Sequence, residues 1–110
     1  MYRAAQLFLA LTATAAALPA AEVNYLRDVK PLLTQNCVRC HGEEKQEGGL
    51  QLDTAESLFA GGDSGDILVP GKSGQSLLLR VVAGTHRDIP RMPYKKSPLE
   101  DSQVAVLREW

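Results

Sequence analysis

The stretch Cys37-Val38-Arg39-Cys40-His41 decides how the rest of this chain is read. Two thiols three positions apart, with an imidazole directly after, form the attachment signature of a c-type haem. The chemistry requires that spacing. Cys37 and Cys40 reach two vinyl groups on one edge of the macrocycle, and His41 projects beneath the iron as the proximal ligand. Other uses of the same residues fit less well. A structural zinc site wants four ligands, and only His86 remains outside the motif. A redox dithiol of the thioredoxin kind sits after a strand, whereas the residues before Cys37 have helical spacing. A disulfide between Cys37 and Cys40 would close a tiny loop and constrain little of the unfolded chain.

Upstream of the motif, Leu26, Val29, Leu32 and Leu33 fall close to helical spacing. Proline is tolerated in a first turn, so Pro31 places the N-cap at Asp28 and the helix from Val29 to about Cys37. At the start of the chain, basic Arg3 precedes an apolar run from Ala4 to about Leu18, then Pro19-Ala20-Ala21. This order predicts a signal peptide over residues 1–21, cut after Ala17, Ala20 or Ala21, with an uncleaved anchor as the alternative. Haem is joined to such motifs after export, so leader and motif support one another. The expected location is the periplasm or cell envelope, with no stable membrane insertion after cleavage.

Downstream, Thr54 to Ala60 reads as a short helix stopped by Gly61-Gly62. A second begins at Ser73 and runs through Val82 to Gly84, with Leu77, Leu78, Val81 and Val82 as its apolar face. Ser97-Pro98-Leu99-Glu100 suggests a capping box for a last helix with Val104, Val106, Leu107 and Trp110 inward. Gly42 to Gly49 and Thr85 to Lys96 read as loops. No segment alternates as a sheet strand does, so an all-α domain over residues 22–110 is expected. The helix that stops at Trp110 without a cap suggests a piece of a longer chain.

Composition narrows the function. The 110 residues carry a net charge of −1, with both signs scattered, which excludes a basic stripe for nucleic acid. A domain of about 90 residues with few aromatics has a thin core and benefits from a large apolar cofactor. Met92, the one methionine besides the initiator, lies in a polar loop between Arg91 and Pro93. That loop has no apolar periodicity to pack, so Met92 is the expected distal iron ligand. His86 is the rival. Arg39, Arg80 and Arg91 are candidates to approach the haem propionates. Gly71-Lys72-Ser73 is not a P-loop, because Gly65 lies one residue too far upstream. Gly62-Asp63-Ser64-Gly65 reads as a turn.

The chain resembles the planctomycete-type cytochrome c domain. The resemblance runs through Asp28 to Leu33, Cys37 to Gly42, Gly48 to Asp53, Gly61 to Gly65, Val69 to Lys72, Ser76 to Leu78, Arg91-Met92-Pro93 and Leu107 to Trp110. It implies a class I cytochrome c-like fold wrapped around one haem c, with His41 and Met92 as axial ligands. It also implies an electron carrier rather than an enzyme, whose partner is a redox protein or a downstream domain of the same chain. Two alternatives stand beside it, a haem module serving a larger exported enzyme and a haem-based sensor in which Met92 is displaced or does not ligate.

Overall fold

The computed structural model describes residues 9–14 and 22–110. Residues 1–8 and 15–21, most of the expected signal segment, lie outside the described residues. Among those described, no helix is long and apolar enough to cross a membrane.

Four α-helices make up the described chain: α1 (Lys30–Asn36), α2 (Ala55–Ala60), α3 (Leu77–Ala83) and α4 (Asp101–Glu109). Among the described residues there is no strand, only the isolated bridges His41 to Gln46 and Gly62 to Gly65. The expected all-α class holds at this level.

The first helix starts differently from expectation. The N-cap is Asn24, whose side chain accepts from Arg27 N, and a π turn over Tyr25–Val29 leads into α1. Asp28 serves that cap from below, its carboxylate accepting from Asn24 N at 2.8 Å. Pro31 still lies in the first turn of α1, where its missing N–H costs nothing. The wider turn shifts the helical phase. Val29, Leu32 and Leu33 are buried, while Leu26 points outward and is 70% exposed.

The later helices follow local chemistry. Thr54 Oγ1 caps α2 by accepting from Ser57 N at 3.1 Å. Ser73 does not start α3; it opens a 3₁₀ turn over Ser73–Gln75, and α3 begins after the buried Ser76. Ser76 Oγ instead accepts from Val69 N at 2.9 Å, tying the preceding loop down. The start of α4 is also corrected. Glu100 is its N-cap, Gln103 Oε1 accepts from Glu100 N at 2.8 Å, and Pro98 stays outside the helix. Leu99 and Val104, both buried, take the positions of a hydrophobic staple around that cap.

The core is one cluster. Val29, Leu33 and Leu58 are fully buried, joined by Leu32, Leu52, Ile67, Leu78, Leu79, Val81, Val82, Leu99, Val104 and Leu107. Helix α4 packs on α3 and on the N-terminal π turn. There Tyr25 stacks on Trp110, with ring centroids 5.5 Å apart.

Candidate functional site

The Cys37–His41 segment is a tight turn at the end of α1. Cys37 N donates to Leu33 O at 2.8 Å, and His41 N donates back to Cys37 O at 3.0 Å. Cys37 is half-buried against the core, and burial, with the nearby Cys40 sulfur adding to it, pushes its thiol up to about 11. The cysteine therefore stays protonated at neutral pH and is a poor nucleophile on its own. Gly42 follows the histidine, is buried, and has room only for hydrogen, since a Cβ there would collide with the carbonyl oxygen of Val38.

The loop after the motif folds back over it. Glu47 N donates to Cys40 O at 3.0 Å, and Leu52 N donates to His41 O at 2.8 Å. This return brings the Glu47 carbonyl to the imidazole, where His41 Nδ1 lies 2.9 Å from Glu47 O. A carbonyl oxygen only accepts, so Nδ1 carries a proton, and in the neutral ring Nε2 keeps its lone pair. Such a bond fixes both tautomer and ring orientation, as outer-sphere partners do for ligating histidines. In the sequence, Gly42 to Gly49 reads simply as a polar stretch. Its task is carried by backbone carbonyls, which leave no side-chain signature.

Met92 is carried by a separate loop, after α3. Gly84 ends α3 in the left-handed region (φ 72°), and the Arg91 guanidinium lies over it where any Cβ would intrude. The free carbonyls of that helix end then receive the following loop. Thr85 N donates to Arg80 O at 2.9 Å, Met92 N to Val81 O at 3.0 Å, and Arg91 Nη2 to Ala83 O at 3.4 Å.

His41 and Met92 line one cleft. Its other walls are Leu50, Ile67, Leu77, Leu78, Val81 and Ile89, with Glu47, Gly48, Gly62 and Ser64 at the remaining positions. His86 does not line it, nor do Arg39, Arg80 or Arg91. A larger groove of about 320 Å³ lies between Phe59, Leu79, Leu107 and Trp110, and carries none of the motif residues. Among the described residues, no three His, Cys, Asp or Glu side chains cluster as a metal site would need.

The donor set suits a haem. A thioether residue, Met92, and an imidazole residue, His41, share one largely apolar cleft, and the turn that carries His41 also carries the thiols of Cys37 and Cys40, which do not themselves line the cleft. A helical chain arranged in this way has the outline of a c-type cytochrome. Comparison with known families places it more narrowly: residues 37–95, more than half of the chain, match the family described as Planctomycete cytochrome C, and the chain belongs to that family. Membership points to a haem-binding, electron-transfer role. No curated protein and no solved structure matched.

Proposed function

We propose that this chain is an exported mono-haem cytochrome c domain that carries electrons and turns over no substrate of its own. Its fold on this reading is the class I type, helices and loops wrapped around one haem c. Cys37 and Cys40 hold the group through thioether bonds, His41 is the proximal ligand and Met92 the distal one. The observation that carries the reading is the single apolar cleft shared by His41 and Met92, with His41 Nδ1 engaged by Glu47 O and Nε2 left over.

When bound, haem supplies a one-electron couple at its iron. The chain's own residues hold and tune that couple. Glu47 O orients the imidazole and raises its basicity. Leu50, Ile67, Leu78 and Val81 keep water from the cleft, which favours the less charged state of the centre. A haem held by Met92 together with His41 would have a higher potential than one held by two histidines, and Met92 would leave no iron position for a substrate. Export follows from the leader read over residues 1–21, and the partner is a redox protein or a domain of the same polypeptide.

The test is a reduced-minus-oxidised spectrum of the matured protein beside Met92→Ala. The parent shows c-type bands and the weak far-red Met-to-iron absorption, and the variant keeps the former and loses the latter. A parent without c-type bands ends the proposal; a far-red absorption that survives Met92→Ala ends the distal assignment and favours the sensor.

A further inference from the structure

His86 belongs neither to the attachment turn nor to the cleft wall, yet its ring is engaged. Its Nδ1 accepts from Asp88 N at 3.1 Å and from Ile89 N at 2.9 Å. A ring nitrogen that accepts carries no proton, so this imidazole is neutral with its hydrogen on Nε2. The arrangement is that of an Asx turn, in which a side-chain acceptor closes the backbone two and three residues ahead. Here an imidazole takes the place of the carboxamide.

What the turn carries gives it meaning. Ile89 and Met92 both line the cleft. The loop is fastened to α3 at its start by Thr85 N on Arg80 O and at its end by Met92 N on Val81 O. Between these anchors the imidazole gathers the backbone into the turn from which Ile89 enters the cleft.

We infer that His86 is a positioning residue for Met92: by closing the Asp88–Ile89 turn, it sets the reach and direction of the loop that presents the methionine sulfur. The inference rests on the reading of Met92 as the distal ligand. The two N–H groups share the one lone pair of Nδ1, so removing it costs about one hydrogen bond of ordinary strength and shifts the balance between ordered and loose loop by roughly 5-fold.

The experiment uses the haem-loaded chain with His86→Phe, His86→Asn, His86→Gln and, as the ligand control, Met92→Ala. Phenylalanine keeps a ring and offers no acceptor. Asparagine restores a short acceptor suited to the same turn, and glutamine carries its acceptor one methylene too far. The readouts are the Met-to-iron absorption of the oxidised protein and the hydrogen exchange of the Ile89 amide. His86→Phe is expected to lose more than half of the absorption and to exchange at Ile89 at least threefold faster, while His86→Asn keeps both near the parent. A Met92-dependent absorption that His86→Phe leaves intact overturns this inference and leaves the ligand assignment standing. An absorption missing from the parent, or unchanged in Met92→Ala, overturns both. Should His86→Phe fail to mature, the asparagine and glutamine variants decide: retention in the first with loss in the second supports the role, and equal behaviour overturns it.

Discussion

Gly42→Ala strikes the end of the turn that carries Cys37, Cys40 and His41. Gly42 is not among the positive-φ glycines, so alanine can adopt its backbone conformation, and the cost is purely steric. The new methyl group would overlap the Val38 carbonyl oxygen and lie 2.9 Å from Val38 Cγ1. Relief must come from turning the Val38 peptide, from moving the segment between Cys37 and Cys40 or from moving His41. Overpacking of this kind costs about 3 kcal/mol at the upper end. The lower entropy of the unfolded alanine chain returns about 0.5–1 kcal/mol. The net loss is about 2 kcal/mol, or roughly 10 °C in Tm for a domain of this size. Gly65→Ala is the control, since it lies outside the cleft lining, with φ at 88° and nothing within 4 Å of its Cβ position. Only the left-handed backbone penalty applies there, and after the same entropic return the loss is about 0.5–1 kcal/mol. Guanidinium unfolding of the haem-loaded proteins, with the m-values checked for equality, measures both. A third variant, Val38→Ala/Gly42→Ala, identifies the obstacle, because it removes Cγ1 and leaves the carbonyl. The reasoning is refuted if Gly42→Ala loses no more than Gly65→Ala, or if Val38→Ala restores most of the loss.

Two further predictions concern the N-terminal turn and the core. Leu58→Ala, at a fully buried position, should cost about 2–5 kcal/mol, whereas Leu26→Ala, at a largely exposed one, should stay within about 0.5 kcal/mol, and equal losses by chemical denaturation would contradict the π-turn phase. The Asp28 carboxyl is held down to about 2 from an ordinary 3.8, chiefly by the Arg27 side chain and then by Asn24 N–H. Because its folded value is the lower one, its contribution is complete above pH 3.8 and disappears as the pH falls towards 2. An NMR titration should place the Asp28 midpoint near 2, and Asp28→Asn should flatten the acid limb of the stability curve; a midpoint near 3.8 would show that the cap does not hold in solution.

The parts of the site that were legible in sequence are those whose chemistry is confined to a few adjacent residues. The Cys37–His41 spacing is one, the solitary Met92 is another, and the Thr54 cap and the Gly84 stop are local in the same sense. The corrections arise where two local solutions compete. Asn24 and Asp28 are both good caps four residues apart, and the chain uses each to serve the other. Ser97 and Glu100 likewise both satisfy the cap pattern, and burial of Leu99 decides for the second, since the staple needs that residue just outside the helix. What sequence could not reveal was the support of the two proposed ligands. Glu47 acts through its carbonyl, so any residue at that position offers the same atom, and His86 acts through a ring nitrogen on backbone two and three residues ahead. The helical spacing of Leu26 misled because it presumes a uniform turn, and the π turn breaks that uniformity.

The two walls of the cleft are braced on different parts of the chain. His41 is held by its own turn and by the return loop through Glu47 and Leu52, whereas Met92 is held by the C-terminal carbonyls of α3. The two braces share no hydrogen bond. Residues 84–92 therefore behave as an exchangeable part: a graft that alters their length or composition changes the face presented by the methionine and leaves every bond that orients the histidine in place. Heritable variation in that loop would in this way retune the proposed centre from one side, while the hydrogen bonds of the proposed attachment turn stay as they are.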